Sequence, residues 1–477
     1  MAVVRPGILI AVCIALMASA AEQTETPSPK AVIRLSDVAP ALRESLPPGT
    51  ASQEGFDRYV ASLDRETEAR ERAGEYEHLI YFLLQSQVFT SEPRIEPALS
   101  AYELLRGIDL ADAAPRITTP PAVARRLSDF VRAVEGTPKE ARLAYFKRFL
   151  ETTEAAGAPL SERLRAEYVR VMRFLYQKEF LAQGLADPQE REALLASLYE
   201  KRGHSTDTQI EANFAVYTAL SVIRALGQRR IDKVLVVGPG LDFAPRTDFM
   251  DLFEPQSYQP FAVADALLAL GLSEPARLQI HCVDVSERVL AHLRGLASAG
   301  PLRLRLLSGI AERQQRRFEP DYRDYFAHLG RRIGEEGPIE RPLPGRLGKS
   351  VLVRPEIVRA ISAQRLDIIT QRLVPSPAYD LIVVTNVLGY FDSPQQTLAL
   401  SNIEAMLKEG AYLVHNEPRS SLVAAASALG LPMIDARTVR VASDPQAPLF
   451  DRVLIHRRSC QPGKGRPTEG PSKQEGP

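Results

Sequence analysis

Cysteine is scarce in this chain. Three cysteines occur among 477 residues, and one of them, Cys13, lies in an apolar stretch at the N-terminus. The other two, Cys282 and Cys460, are far apart and do not make the framework of a disulfide-rich protein. Cys282 lies within an apolar strand pattern, so we expect it to be a core residue.

Neither sign of charge is in excess. The 59 Lys and Arg residues balance the 59 Asp and Glu residues, and no basic stripe stands out. A nucleic-acid partner therefore has no electrostatic support from the sequence. The seven histidines show no paired spacing with cysteine or acidic residues, so the sequence predicts no metal site.

Long apolar runs are also missing, except at the beginning of the chain. Arg5, the apolar run 8–17 and the small residues at 18–20 have the three parts of a secretory signal. We therefore expect residues 1–20 to direct export to the periplasm or out of the cell. The alternative is a fortuitous apolar start on a cytoplasmic protein. No later segment of the sequence is long and apolar enough to be transmembrane.

The rest of the chain changes in composition along its length. Residues 21–52 are rich in Pro, Ser, Thr and Ala, which predicts a disordered leader. Residues 53–225 carry apolar residues at three- and four-residue steps, as in "EHLIYFLLQSQVF", and this pattern predicts a helical N-terminal domain. The end of the chain, 459–477, is made of Gly, Pro, Ser and charged residues and is predicted to be disordered.

Between residues 226 and 458, short apolar runs alternate with amphipathic helices. "KVLVVG", "LQIHCVDV" and "YDLIVVTN" are typical of buried strands, and "PFAVADALLALGL" is typical of a helix. This alternation predicts a parallel sheet with helices on both faces. The last two strand-like runs, "RTVRVAS" and "LFDRVLIHRR", predict a hairpin that closes the sheet.

Four loops of this sheet are candidates for ligand binding, because ligands of doubly wound sheets bind beyond the carboxyl ends of the strands. In the first loop, Gly238 and Gly240 lack side chains and allow a ligand to approach the backbone. In the second loop, the Asp284 carboxylate can accept hydrogen bonds from ribose hydroxyls. The third and fourth loops contain Asp367, Ile368, Thr385 and Asn386.

These segments resemble the class I S-adenosylmethionine (SAM) dependent methyltransferases. "VLVVGPGLD" is similar to their first motif, and "IHCVDVSERVLAHLR" is similar to their second strand with its acid. "YDLIVVTNVLGYFDSPQQTLALSNIEAMLKEGAYLVHNE" resembles their fourth strand, helix and fifth strand, particularly in the chemotaxis-receptor methyltransferases. The resemblance covers about 225–458. It implies a Rossmann-like, seven-stranded methyltransferase sheet with a closing antiparallel hairpin, preceded by an all-α N-terminal domain.

The resemblance implies SAM as the cofactor and gives each loop a part of it. Gly238 and Gly240 would face the methionine part and the ribose. Asp284 would take the ribose hydroxyls, and Val285 would flank the adenine.

Asp367 or Ile368 would border the adenine edge, and Thr385 and Asn386 would line the methionine and methyl end. The stretch "RGHSTDTQIEANFAVYTAL" before the first strand resembles the lead-in helix of the family, to which residues 205–207 would contribute.

The chain departs from the family pattern in the first loop. Val236 stands in place of an acid, and Asp242 occupies the third glycine position. There Asp242 would either meet the SAM amino group or repel the SAM carboxylate. Asp284 lies much farther beyond Gly240 than the spacing of about 20 residues that is usual after such a loop, which predicts an insertion. "TNVL" is not the Asn-Pro-Pro-aromatic motif of enzymes that act on nucleic-acid amino groups, so that substrate class is disfavoured.

Three residues near the predicted methyl end are candidates for a catalytic role. Tyr390 would line a substrate pocket, although an aromatic residue beside a helix start is usually a packing residue. His415 and Glu417 follow the fifth strand and would form an acid–base pair, the alternative for His415 being a hydrogen bond at the end of the sheet. Methyl transfer needs little acid–base machinery, because the sulfonium already activates the methyl group and the protein mainly aligns the acceptor.

Two functions follow from the sequence. One is a SAM-dependent methyltransferase acting on a small molecule or a protein, which the acidic and Asn-containing loops favour. The other is an exported, non-catalytic protein that uses a degenerate methyltransferase fold as a binding scaffold. The export signal favours this second function, because SAM is made and kept in the cytoplasm. A nicotinamide-dependent oxidoreductase is disfavoured, because the third glycine of its G-x-G-x-x-G motif would fall at Phe243.

Overall fold

The structure is a computed structural model of the chain. It describes residues 28–110, 117–153, 158–228, 230–247, 249–376, 378–444 and 449–460. The predicted export signal, 1–20, and nearly all of the predicted disordered tail therefore lie outside the described residues.

The N-terminal half of the chain is helical, as its apolar spacing predicts. Its helices are α1 (Gln53–Gln85), α2 (Pro97–Leu105), α3 (Pro121–Glu135), α4 (Ala141–Thr152), α5 (Leu160–Tyr176) and α6 (Pro188–Lys201). A π-helical turn, Gln177–Leu181, and a helical turn, Ala182–Gly184, extend α5. The start of α1 is fixed by Ser52, whose side chain accepts a hydrogen bond from the backbone of Gly55.

Among the described residues, one strand, β1 (Lys30–Val32), precedes this helical region. The strands that follow it are β2 (Lys233–Val237), β3 (Gln279–Asp284), β4 (Arg303–Leu307), β5 (Arg317–Phe318), β6 (Gly334–Gly337), β7 (Gly348–Val353), β8 (Ile361–Arg365), β9 (Gln371–Leu373), β10 (Tyr379–Val384), β11 (Leu407–His415), β12 (Met433–Ser443) and β13 (Leu449–Arg457).

Helices alternate with these strands. They are α7 (Ala212–Ala225), α8 (Gln259–Ala269), α9 (Glu287–Gly295), α10 (Pro320–His328), α11 (Pro355–Arg359), α12 (Ser393–Met406) and α13 (Ser420–Ala428). Short 3-10 helices occur at Leu35–Asp37, Pro40–Ser45, Met250–Leu252 and Leu388–Tyr390. Among the helices of the described residues, none is both long and apolar enough to cross a membrane.

The main sheet has the strand order β5-β12-β13-β11-β10-β2-β3-β8. The five neighbouring strands β11, β10, β2, β3 and β8 all pair in parallel. The last strand of the chain, β13, lies antiparallel between β11 and β12. The mixed α/β fold, its Rossmann-like parallel sheet and its closing antiparallel hairpin, all expected from the sequence, are confirmed.

The main sheet has eight strands, so the expectation of seven is wrong by one strand. The additional strand, β5, is two residues long and pairs with Ala442 and Ser443 at the edge of the sheet. A strand of two residues is too short to show an alternating pattern in the sequence. The segment around it also forms a separate three-stranded sheet of β4, β7 and β6.

Residues 28–52, the described part of the segment before α1, form β1 and two 3-10 helices, so the expectation of a disordered leader is wrong for 28–52. β1 pairs antiparallel with β9, more than 300 residues later in the chain. Ile33 and Val38, which follow β1, are fully buried against the sheet. The Pro-rich and Ser-rich composition did not predict β1, because this strand forms by pairing with a distant strand and has no strand pattern of its own.

The helical region and the sheet share their hydrophobic core. One core cluster contains Leu79 and Phe146 of the helical region together with Val234 and Ile455 of the sheet. A second cluster, on the other sheet face, joins Phe56 at the start of α1 to strand residues. The helical region therefore covers the sheet and buries part of both of its faces.

Candidate functional site

A cavity of about 350 Å³ lies at the carboxyl ends of β2, β3, β8 and β10. The strand order of the sheet reverses between β2 and β10, which is where open α/β sheets bind their ligands. The volume of the cavity falls within the range of small-molecule binding sites. The sequence-predicted residues that line it are Gly238, Gly240, Asp284, Val285, Asp367, Ile368, Thr385, Asn386 and Tyr390.

The glycine turn after β2 forms the floor of this cavity. Gly238 and Gly240 have φ angles of +68° and +73°, which glycine adopts more readily than any residue with a side chain. A Cβ atom on Gly238 would lie 2.5 Å from Cγ2 of Val387. A Cβ atom on Gly240 would lie 2.9 Å from Cβ of Thr208. Both positions therefore require glycine, and the backbone of the turn remains accessible from the cavity.

Asp284 is the last residue of β3, and it lines the cavity. Its Oδ1 accepts a hydrogen bond of 2.8 Å from the backbone of Ser286 at the start of α9. Burial raises the pKa of Asp284 to about 7, and the nearby Glu71 carboxylate adds to this rise. Asp284 thus lies where the sequence places an acceptor for ribose hydroxyls, with a pKa near neutrality.

Asp367 and Ile368 follow β8 on the opposite side of β3 from the glycine turn. Asp367 accepts a hydrogen bond of 2.8 Å from the hydroxyl of Thr67 on α1 and one of 2.9 Å from the backbone of Ile369. Burial raises the pKa of Asp367 above its ordinary value. One role of this carboxylate is therefore to hold α1 over the cavity.

Thr385 and Asn386 follow β10 and lie next to the glycine turn. The Thr385 hydroxyl accepts a hydrogen bond of 2.6 Å from the side chain of Gln259 at the start of α8. Asn386 has a φ of +58°, a left-handed conformation that asparagine tolerates better than most residues. Its backbone N–H donates to Asn416 over 2.8 Å, which fixes the end of this strand.

Asp242, which was predicted to meet the amino group of SAM or to repel its carboxylate, is not among the residues that line the cavity. The chain turns after Gly240 and carries the Asp242 side chain into the core of the inserted loop. There its carboxylate accepts hydrogen bonds from the Tyr258 hydroxyl, over 2.5 Å, and from the backbone of Gln256. Burial raises the pKa of Asp242 to about 7. Its role is to fold the insertion between β2 and α8.

His415 and Glu417 do not form the predicted acid–base pair. The His415 ring is buried inside the sheet, and its Nε2 lies 2.9 Å from Nε2 of His456 on β13. The backbone N–H of Glu417 donates to Nδ1 of His415, whereas the Glu417 carboxylate pairs with Arg419 over 3.1 Å. The alternative interpretation, a histidine that forms hydrogen bonds at the end of the sheet, describes His415.

The segment before α7 lies over the glycine turn, as the lead-in resemblance implies. The Thr206 carbonyl accepts a hydrogen bond of 2.7 Å from the backbone of Leu241. Ser205, Thr206 and Asp207 all line the cavity. His204 lines it as well, with its ring edge-on to the Tyr390 ring at 5.6 Å between centroids. Burial, with a smaller contribution from Arg70, lowers the pKa of His204 to about 3, which keeps this imidazole neutral.

Sequence reasoning missed the contribution of α1 to the site. Thr67, Glu71 and Glu75 recur every four residues on one face of α1, and all three line the cavity. Glu71 pairs with Arg365 at the end of β8, over 2.9 Å, and Glu75 pairs with Arg288 of α9, also over 2.9 Å. Such polar spacing on a long helix normally indicates a solvent-exposed face, so only the fold reveals that α1 crosses the site.

A family model matches part of this region. The CheR methyltransferase SAM-binding domain matches residues 345–419, which contain β8, β10, α12 and β11. The sequence resemblance to chemotaxis-receptor methyltransferases is thus confirmed in this segment, and SAM is the cofactor that the family description names. No curated protein matches the chain.

Solved structures similar to this chain include several methyltransferases. N-methyltransferase NodS from Bradyrhizobium japonicum, in complex with S-adenosyl-L-homocysteine (SAH), is 14% identical, with 59% of this chain and 97% of NodS covered at a TM-score of 0.27. Magnesium protoporphyrin IX methyltransferase from Synechocystis, with bound SAM, is 10% identical, with 64% and 100% covered at a TM-score of 0.27. A TehB-like SAM-dependent methyltransferase from Corynebacterium glutamicum is 12% identical, with 51% and 89% covered at a TM-score of 0.25.

Proposed function

We propose that this protein binds SAM in the cavity and transfers the methyl group to a small-molecule or protein acceptor. The observation that carries the proposal is the cavity itself, in which a glycine turn and a buried acid meet at the strand-order switch of the sheet. The family match to a SAM-binding domain over 345–419 supports the same cofactor.

Unused polar atoms in the cavity wall fit a ligand with several hydrogen-bond donors. Asn213 Oδ1 and Gln259 Oε1 are buried and have no hydrogen-bond partner within the described part of the chain. Both residues line the cavity. Buried acceptors are nearly always satisfied in proteins, and the hydroxyl and ammonium groups of SAM are donors of the required kind.

In this proposal each loop has one task. The accessible backbone of Gly238 and Gly240 supports the methionine part of the cofactor, and Asp284 accepts hydrogen bonds from its ribose. Asp367 and Ile368 border the adenine, and Thr385 lies at the methyl end. Bound SAM supplies a methyl group that its sulfonium makes electrophilic.

The acceptor end of the cavity contains His204 and Tyr390. Because His204 is neutral, one of its ring nitrogens can accept a hydrogen bond from the hydroxyl or amine of the methyl acceptor. This hydrogen bond would orient the lone pair of the methyl acceptor towards the methyl group. The acceptor atom then forms a bond to the methyl carbon while the carbon–sulfur bond breaks, its electron pair remaining on sulfur in SAH. The proton of the acceptor leaves to solvent.

Ligand binding by the purified full chain tests this function. We expect SAM and SAH to raise the thermal unfolding midpoint and NAD to leave it unchanged. At a ligand concentration 100-fold above the dissociation constant, the stabilisation should be about 2.7 kcal/mol. Failure of both SAM and SAH to bind at millimolar concentration, measured by calorimetry, would contradict the proposal. If SAM binds but is not converted to SAH with any methyl acceptor tested, the non-catalytic scaffold is favoured.

A further inference from the structure

A buried ion pair forms one wall of the cavity. Arg288 Nη2 lies 2.9 Å from Glu75 Oε1, and only 6% and 15% of the two side chains are exposed. Arg288 belongs to the first turn of α9, just after Asp284, whereas Glu75 comes from α1. The pair therefore joins the helical region to the sheet inside the cavity wall.

Each partner keeps one polar atom that the pair does not use. Arg288 Nη1 and Glu75 Oε2 are buried and have no hydrogen-bond partner among the described residues. The Tyr145 hydroxyl lies near both side chains without making a hydrogen bond of normal geometry to either atom. A buried guanidinium N–H and a buried carboxylate oxygen are strong hydrogen-bonding groups, so their lack of partners points to a ligand.

The guanidinium of Arg288 is held rigidly at the glycine-turn end of the cavity. Its Nη2 also donates to the hydroxyl of Thr206 over 3.1 Å, and the Thr206 carbonyl accepts the hydrogen bond from Leu241 directly after the turn. Its planar group stacks over the Phe243 ring at 4.3 Å from the centroid. The predicted adenine end of the cavity is elsewhere, because Asp367 follows β8, which lies on the other side of β3 from the glycine turn.

We propose that Arg288 and Glu75 bind the α-amino-acid head group of SAM. Arg288 Nη1 donates to the carboxylate of the head group, and Glu75 Oε2 accepts from its ammonium. A zwitterion matches this pair better than a simple anion or cation does, because the pair presents both signs of charge side by side. The inference rests on the proposed function, and it gives the head group a partner that Asp242 does not supply.

A consequence of this assignment concerns the helical region. Glu75 lies in α1, outside the sheet that carries the other predicted cofactor residues. The helical region then provides part of the cofactor site itself, in addition to any part in selecting the acceptor.

The neighbouring ion pair offers a matched control. Arg365, the last residue of β8, pairs with Glu71, which lies one helical turn before Glu75 on α1. Arg365 is 44% exposed, and it donates to both Glu71 carboxylate oxygens, over 3.3 Å and 2.9 Å, and to the Val285 carbonyl. Its substitution removes a similar bridge between α1 and the sheet without removing an unused cavity donor.

Calorimetric titration of the full chain with two ligands tests the inference. SAH carries the amino-acid head group, and 5′-methylthioadenosine has the same adenosine and thioether without it. We expect Arg288→Gln to weaken SAH binding by about tenfold to a hundredfold, the usual effect of losing a charge-assisted hydrogen bond. The affinity for 5′-methylthioadenosine should stay within about twofold of the wild type. Arg365→Gln should leave the ratio of the two affinities unchanged.

A second variant separates the two halves of the head group. Decarboxylated SAM keeps the amino group and lacks only the carboxylate. Glu75→Gln should weaken its binding, whereas Arg288→Gln should not.

The possible failures are distinct. If the wild-type protein binds neither SAH nor SAM, the proposed function fails and the inference fails with it. If the wild type binds SAH and Arg288→Gln binds it equally well, only the inference is overturned. Equal losses for SAH and 5′-methylthioadenosine would also overturn it, because they would show that the ion pair acts only by holding the fold.

Discussion

The carboxyl group of Asp284 is buried and belongs to a residue that lines the cavity. It is buried at the end of β3, and burial raises its pKa to about 7, well above that of a free aspartate. A ribose hydroxyl is a better donor to the ionised carboxylate than to the acid, so a bound nucleoside lowers this pKa again. If the proposed nucleoside binds there, we expect its binding to release a proton near neutral pH.

This linkage predicts how the affinity for SAH depends on pH. As the pH falls below about 7, Asp284 takes up a proton in the free protein, and the affinity should fall by up to about tenfold per pH unit. The amino group of the ligand titrates near pH 8, but it affects all variants alike. Titrations between pH 5 and 8 should show a shallower slope for Asp284→Asn than for the wild type. Parallel slopes would show that this carboxyl does not hold the ribose.

At the scale of elements, β1 shows how a distant partner fixes a segment that its own composition leaves undefined. The strand is three residues long and pairs with β9, and the chain after it buries Ile33 in the core beneath the sheet. Long helices such as α1 were predictable because their apolar spacing repeats over many turns. Short strands such as β1 and β5 were not, because their pairing and burial depend on residues far along the chain.

Val32, the last residue of β1, and Ile33, which follows it, test whether this segment packs against the core. Ile33 is 1% exposed and Val32 is 56% exposed. We expect Ile33→Ala to lower the free energy of unfolding by about 2–5 kcal/mol, because it leaves a cavity in the core. Val32→Ala should change it by no more than about 0.5 kcal/mol. Urea unfolding curves measure both values, and equal small effects would show that the segment is not packed as described.

At the scale of the whole molecule, the helical region and the sheet form one packed body. Their residues share a single core cluster on one sheet face, and the start of α1 packs into the cluster on the other face. Ion pairs and a hydrogen bond that join α1 to α9 and to the carboxyl end of β8 add to this contact. Stability therefore depends on both halves together.

Removal of the helical region should consequently unfold the sheet. A fragment of residues 226–460 would expose the apolar face that α1 and its neighbours cover in the full chain. We expect this fragment to lack a cooperative thermal transition in circular dichroism, whereas the full chain should unfold in one transition. A fragment that unfolds cooperatively and still binds SAH would contradict this prediction and the assignment of Glu75 to the cofactor site.

Much of the candidate site was determined by the sequence alone. The carboxyl ends of neighbouring parallel strands meet at one edge of a sheet, so the strand pattern was sufficient to bring Gly238, Asp284, Asp367 and Thr385 to one cavity. Local conformation also sufficed at the glycine turn, where the residue type itself permits the positive φ angles.

Only the tertiary structure decided which side chains face that cavity. The direction of the Asp242 side chain depends on how the inserted loop folds back to bring Tyr258 to it, and the environment of His415 depends on its neighbour His456 in the sheet. The pairing of Glu75 with Arg288 joins residues more than 200 positions apart. Sequence patterns carry the periodicity of each element, whereas such contacts arise from the way packed elements cross one another, which no local pattern records.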